Sequence, residues 1–580
     1  MNKKNSIFFM LLFLSHLVIL GVLILTENFY YRTNDDTTMA AIAGGAYGEA
    51  SPYVVNLHLV LGFVLMALFK VAPIVNWMTV VFLFVSLIAF AAIDVIICYF
   101  GNEKGGIWKK IGIAAIIDLA WFMLIFYFTF TVVAYSVGIA GMAVFLFSFS
   151  DELSGKAKKT LMFCGIALLF ICCLIRAEVL KSLLIVIFPL AVYMLFKGKI
   201  KKLIPIFAVP LAMMIFMTLS NTWLCNLNPI QREFLNWGEI RSKAVDCSAI
   251  DFDEFKSEFT ELGVNSDVYQ MIYNQYYFDY DAINVDVFSG MASMRTLSQN
   301  YNFNLKSVAK QVLGLDKGGL NYETICLPIV LVLALFAIIL NKRNRKETLL
   351  LILGTLLAHT VFCVIGRSLH RVVMPNYVFV FVLLAIQLNV NCDKDVNVTS
   401  RMFRICFSVA SAFVLLISGY GFLYRDSLHL LDKEVAHNTE RRQIYRYLES
   451  HNDKLYFSGN LYVYSIDVCR PAFDFAGKDG KLWNLIGNWE TFSVPYYNLL
   501  ANYDVKDPNR LALEAPDSDV IRIISNQGLS YIEFATFFTN YIEDQTGIKV
   551  QIVPEEHIAE LPDGDWWTFK IISVAEGQES

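Results

Sequence analysis

The chain has 580 residues, of which 56 % are hydrophobic, with a mean hydropathy of +0.51 and a formal net charge of −5. That composition excludes an ordinary soluble protein; long apolar runs between short lysine-rich patches indicate a multi-pass helical membrane protein. No basic stretch is long enough, or interleaved with aromatics, to suggest nucleic-acid binding.

The first apolar run, residues 7–26, follows Lys3 and Lys4 and is long enough to span. The bulky sequence ENFYYR follows it in place of a small-residue cleavage site, so it reads as a retained span. Further spans are expected over 78–98, 111–130, 131–149, 160–175, 181–196, 203–221, 324–340, 348–366, 371–390 and 403–422, making about eleven. The run 111–149 is too long for one helix and reads as a hairpin.

Residues 222–323 form a hydrophilic loop. Within it Ser266 can cap a helix in which Tyr269, Ile272, Tyr273 and Tyr276 recur at helical spacing. That pattern predicts an amphipathic helix packed on the membrane domain, with a sugar-stacking platform as the alternative. After about residue 425 the composition is that of a soluble domain. RRQIYRYLESHN reads as helix, and KLYFSG, LSYIEFA, KVQIVP and WWTFKIIS read as short strands, which together predict a small α/β domain. The eleven cysteines form no metal-ligand pattern; Cys225 and Cys247 share the hydrophilic loop, which leaves a disulfide open.

Basic patches at Lys104/Lys109/Lys110, Lys156/Lys158/Lys159, Lys197/Lys199/Lys201/Lys202, Lys342/Arg343/Arg345/Lys346 and Lys394/Arg401/Arg404 should all be cytoplasmic, as should Lys3 and Lys4. Segment 54–71, VVNLHLVLGFVLMALFKV, breaks the parity if it crosses. Either the N-terminus is outside, or 54–71 stays at the outer surface. The second keeps every patch inside and suits Asn56, His58 and Lys70, which are costly in hydrocarbon but comfortable at an interface. The N-terminus is then cytoplasmic. The loops 27–53 and 222–323 and the C-terminal domain are extracytoplasmic. The division is a core over 1–220 with an outer acidic loop 27–53 and an interfacial helix 54–71, the loop 222–323, spans over 324–424, and the domain 425–580.

NDD at 34–36 follows the first span; SPYVVNLHLVLGFVLMALFKVAP at 51–73 follows that, and a second span starts after VNW at 75–77. In this order of parts the chain resembles the GT-C superfamily of integral-membrane glycosyltransferases, whose protein mannosyltransferases, lipid A aminoarabinose transferases and oligosaccharyltransferases share that layout. It also resembles bacterial membrane proteins of the same layout. The resemblance covers roughly residues 1 to 220. It implies transfer of a sugar from a polyprenyl-phosphate-linked donor to a glycan, lipid or protein acceptor at the outer face of the cell membrane, with an outer-loop Asp as base. Two features depart from it. The second acidic residue, often Glu in relatives, is Asp36 here, and DWW at 565–567 reverses the order of an oligosaccharyltransferase signature.

Such a transfer needs a base for the acceptor hydroxyl and cations for the leaving phosphate. Asp35 and Asp36 are the catalytic candidates; helix capping is their structural alternative. Arg176, Lys181, Arg367, His370 and Arg371 are the lipid-phosphate candidates, with local pairing or snorkelling as the alternative. His58 is a weaker candidate and reads as an interface residue. The residues specify no cofactor; a divalent metal is compatible with the acidic pair, but no metal-ligand pattern calls for one. The competing readings are a transporter or flippase for lipid-linked glycans, and a non-catalytic surface-binding protein. A transporter should carry an inverted repeat or several ionisable residues near span centres. The early spans hold only Asp94 and Asp118 as acids, and no repeat is visible.

Overall fold

The computed structural model describes residues 3–26, 29–100, 106–150, 153–246, 249–302, 305–312, 322–340, 344–365, 368–390, 442–459, 471–478, 480–487, 489–561 and 564–574. The long apolar helices are α1 (Lys3–Leu25), α4 (Trp77–Phe100), α5 (Gly106–Phe126), α6 (Phe130–Phe147), α7 (Gly155–Arg176), α8 (Val179–Phe196), α9 (Ile200–Cys225), α15 (Tyr322–Leu340), α16 (Arg345–Val364) and α17 (His370–Val390). Eight of the described helices are long and apolar enough to cross a membrane. α5 and α15 coincide with two more of the expected spans. The expected span 403–422 lies outside the described residues.

α6 and α17 form the centre of the bundle. In each, 89 % of the apolar window is buried, against 22 % in α1 and α9. Burial between helices gains little hydrophobic energy in lipid, so close packing carries the association. Gly141 on α6 and Gly165 on α7 face the partner's backbone: an added Cβ would lie 2.9 Å from Leu169 N and 2.8 Å from Phe145 N. The α5–α6 turn is short because Thr129 caps α6, its hydroxyl accepting from Val132 N at 3.2 Å.

Two short helices lie between α1 and α4. α2 (Asn34–Gly44) ends at Gly45, whose φ of 95° is a left-handed cap that favours glycine. α3 (Leu59–Val71) has 13 residues and is about 20 Å long, short of the roughly 30 Å of hydrocarbon. Both its ends lie at one end of the bundle. His58 N donates to Leu174 O at the end of α7, 3.0 Å away. Beyond α3, Thr79 at the start of α4 meets the Tyr31 hydroxyl at 2.7 Å.

The hydrophilic stretch is helical: α10 (Pro229–Val245), α11 (Lys256–Glu261), α12 (Ser266–Tyr273), α13 (Val285–Asn302) and α14 (Leu305–Val312). Asn265 is the cap of α12, and Ser266 its first residue. Among the described residues the main partner of α12 is not the expected membrane helices. α12 packs on the C-terminal helix Leu529–Thr546, and just beyond it Tyr276 sits against Phe534 and Phe537 of that helix.

The C-terminal domain has a five-stranded sheet of order β2-β1-β3-β5-β4, built from β1 (Leu455–Ser458), β2 (Leu485–Ile486), β3 (Ile521–Asn526), β4 (Val550–Leu561) and β5 (Gly564–Ser573). β1 runs parallel to β2 and β3, and the β4–β5 hairpin adds antiparallel to β3. LSYIEFA is not a strand but the start of the helix Leu529–Thr546. The domain docks on α2 and the start of α4: Phe475 meets the backbone of Gly44, Trp483 N donates to Ala46 O at 2.6 Å, and Asn76 Nδ2 donates to Ala472 O at 2.9 Å. The fold is thus a mostly helical membrane domain joined to a small α/β domain.

Candidate functional site: a charged cavity at the polar end of the bundle

The acidic pair occupies the first turn of α2, where the partial positive charge of the helix start favours carboxylates. The two side chains point to different places. Asp36 is inaccessible to solvent. Thr33 donates its hydroxyl to Asp36 Oδ2 at 2.6 Å, and the first backbone N–H of α6, from Phe130, donates to Oδ1 at 2.5 Å. One carboxylate thereby ties the starts of two helices together. Asp35 keeps 19 % side-chain exposure and lines a cavity, where it accepts from Arg371 Nη1 at 3.2 Å.

Burial pushes the Asp36 carboxyl up from 3.8 to about 7, opposed by the Thr33 and Phe130 hydrogen bonds. A folded carboxyl that holds its proton longer than the unfolded one favours folding below about pH 4. That contribution is lost as pH rises towards 7. Thermal stability should therefore fall by up to a few kcal/mol between pH 4 and pH 7, and Asp36→Asn should flatten that slope. A slope unchanged in Asp36→Asn would assign it to another group.

The cavity has a volume of about 1480 Å³. One wall carries apolar groups from the entry to α3 and the ends of α7 and α9, among them Val54, Leu57, Ile175 and Met217. Arg176, the last residue of α7, lines it too, and Arg176 Nη1 donates to Thr131 Oγ1 at 2.6 Å. α10 lines it as well, contributing Gln231, Arg232, Asn236 and Arg241 beside Phe234 and Leu235. Asp35, Arg176 and Arg371, far apart in sequence, share this one space.

The other candidates go elsewhere. His370 packs edge-on to Tyr127, ring centroids 4.7 Å apart, and does not line the cavity. Lys181 is exposed on the first turn of α8, also outside the lining. Arg367 and Cys247 lie outside the described residues. His58 lines the cavity, but its imidazole is engaged at the start of α3: Nδ1 accepts from Val60 N, and Nε2 meets Ser220 Oγ at 3.2 Å. The α10 wall was missed in the sequence. Its signal was Asn228-Pro229 ahead of a helical repeat, and Asn228 does cap α10.

Asp94 and Asp118 bracket one imidazole: His16 Nε2 lies 3.1 Å from Asp94 and Nδ1 3.0 Å from Asp118. This junction joins α1, α4 and α5, and none of its members lines the cavity.

Fold and site together define a multi-pass helical membrane protein with a charged cavity between its bundle and its polar domains. No family model and no curated protein matches the chain. Two solved structures are similar along nearly the whole length. One is the crystal structure of ArnT from Cupriavidus metallidurans in the apo state, 12 % identical with a TM-score of 0.41, covering 96 % of this chain and 97 % of that one. The other is ArnT from the same organism bound to undecaprenyl phosphate, 13 % identical with a TM-score of 0.38, covering 97 % of this chain and 98 % of that one.

Proposed function

We propose that the chain is a GT-C-type glycosyltransferase that moves a sugar from a polyprenyl-phosphate-linked donor to an acceptor at the extracytoplasmic face of the cell membrane. The observation that carries this reading is the convergence of Asp35, Arg371 and Arg176 on one cavity lined by both apolar and polar groups. The apolar wall suits a polyprenyl chain. Arg371 and Arg176 suit its phosphate, since a guanidinium offers five N–H donors and the contacts to Asp35 and Thr131 use one each. Asp35 sits beside them as the base that takes the acceptor hydroxyl proton. The sugar–phosphate bond then breaks as the acceptor oxygen bonds to the anomeric carbon, and the leaving phosphate keeps the electron pair against the two arginines. Asp36 positions Asp35 by joining α2 to α6.

The test is transfer of a radiolabelled sugar from a polyprenyl-phosphate donor by the purified, reconstituted protein. Absence of transfer, with donor lipids of several sugars and bound donor demonstrated, would leave a binding or transport protein instead.

The orientation follows from the lysine patches. Asn56 and Ile74 flank α3 and are exposed. Cysteines placed at both should react with an impermeant maleimide added to intact cells, while one at exposed Lys199 should stay protected. Reaction at Asn56 with protection at Ile74 would mean that α3 crosses the bilayer.

A further inference from the structure

The cavity also carries amides that the donor does not account for. Six line it: Asn56, Asn221 and Asn226 at the entry to α3 and the end of α9, Gln231 and Asn236 on α10, and Gln275. Gln231 is only 4 % exposed, and its Oε1 has no hydrogen-bond partner among the described residues. A buried carbonyl oxygen left unpaired costs roughly 1–3 kcal/mol, so a partner is expected. That partner must be a donor. Ten residues further along α10, about 15 Å along its axis, the Arg241 Nε is also buried without a hydrogen-bond partner among the described residues. Its guanidinium lies over the Trp237 and Tyr277 rings, 5.7 Å from each centroid, and its Nη1 meets Asp246 at 3.4 Å. The site therefore presents an unpaired acceptor and an unpaired donor on one helix.

A hydroxyl group both donates and accepts, so a polyhydroxylated molecule long enough to reach both can meet each with a different hydroxyl. A phosphate or carboxylate only accepts, and would set its oxygens against Gln231 Oε1. The charges on this side add no pull on an anion. The acids Glu233, Glu239 and Asp246 are balanced by Arg232, Arg241 and Lys243, the last paired with Glu239 at 2.7 Å. Tyr53 and Trp489 also line the space. Two of the amides sit on backbone that side chains adopt at a cost, Asn56 at φ 68° and Gln275 at φ 59°. Such strain gathers at ligand sites.

We propose that the α10 side of the cavity is the acceptor subsite and that it takes a neutral polyhydroxylated group, a sugar, in preference to a phosphorylated or acidic one. The inference rests on the transferase reading of the cavity and adds the class of acceptor to it. The same chemistry could be presented by a glycolipid headgroup or by a free glycan chain.

The experiment uses the full-length protein in nanodiscs on an array of neutral, phosphorylated and carboxylated oligosaccharides. Capture of neutral glycans, lowered at least tenfold in Gln231→Leu, is the expected result. Asn236→Ala, at an exposed position, should lower it as well and serves if Gln231→Leu does not fold. Competition by vesicles containing diglucosyldiacylglycerol, beyond that of phosphatidylglycerol vesicles, would trace the sugar to a lipid headgroup. Competition by soluble tetrasaccharide alone would trace it to a glycan chain; either supports the subsite. Capture confined to phosphorylated or carboxylated glycans would overturn it, as would capture unchanged in both variants. No glycan capture by a protein that still binds donor lipid through Arg371 would overturn the acceptor subsite and leave the donor reading standing.

Discussion

Asp35→Asn should abolish sugar transfer while the protein expresses and folds as before. Asparagine keeps the size of the side chain and can still sit in the first turn of α2, but it cannot take a proton. Loss of a general base costs about 10²–10⁴-fold in rate, so transfer should fall close to background. The stability cost is small, because asparagine keeps an oxygen that can accept from Arg371 Nη1 across this mostly buried contact, 19 % and 24 % exposed. Thermal melting of the two proteins should therefore nearly coincide. Near-wild-type transfer by Asp35→Asn would remove the base assignment. A large drop in melting temperature with transfer per folded molecule intact would return Asp35 to a capping role. Asp36→Asn gives the contrast: both its oxygens are engaged inside the protein, so its effect should appear in the pH dependence of stability.

Arg371→Ala should weaken binding of the polyprenyl-phosphate donor by about ten- to a hundredfold, the range expected for a lost charge-assisted hydrogen bond of roughly 1.5–3 kcal/mol. Arg176→Ala should act in the same direction, and the double variant should lose more than either. Arg371→Lys should recover only part of the affinity, because an ammonium keeps the charge without the planar fork. His370→Ala and Lys181→Ala should leave donor affinity unchanged, since neither side chain lines the cavity. Donor affinity measured by titration into the reconstituted protein decides it: unchanged affinity in Arg371→Ala, Arg176→Ala and the double variant would take the phosphate site away from this cavity.

The long helices were legible because a span is a local property. About twenty apolar residues in a row declare themselves without any knowledge of what they touch. The apolar run 54–71 did not show that its helix is only 13 residues long; the parity of the lysine patches supplied the expectation that it stays at the surface. Errors arose where periodicity had too little length to speak. LSYIEFA alternates well enough over seven residues to resemble a strand. Over Leu529–Thr546 the buried positions Phe534, Phe537, Phe538, Tyr541 and Ile542 follow helical spacing. The opposite failure hid β3, all six of whose residues are buried, so its sequence shows no in–out alternation.

By itself the sequence determined that this is a multi-pass membrane protein with a soluble α/β domain, and that an acidic pair follows its first span. Both follow from composition along a short window. It nominated Asp35 as the base with Asp36 orienting it or binding a metal ion, but could not show which of the two faces the cavity, because neighbours on a helix differ by about 100° in direction and only the packed surroundings decide. Nor could it choose among five candidate cations. The Asp35–Arg371 contact joins residues 336 apart, and the α10 wall approaches the ends of α7 and α9 only once the bundle has closed. The tertiary structure made those choices, since the distances between side chains from different helices are set by how the helices pack and not by their order along the chain.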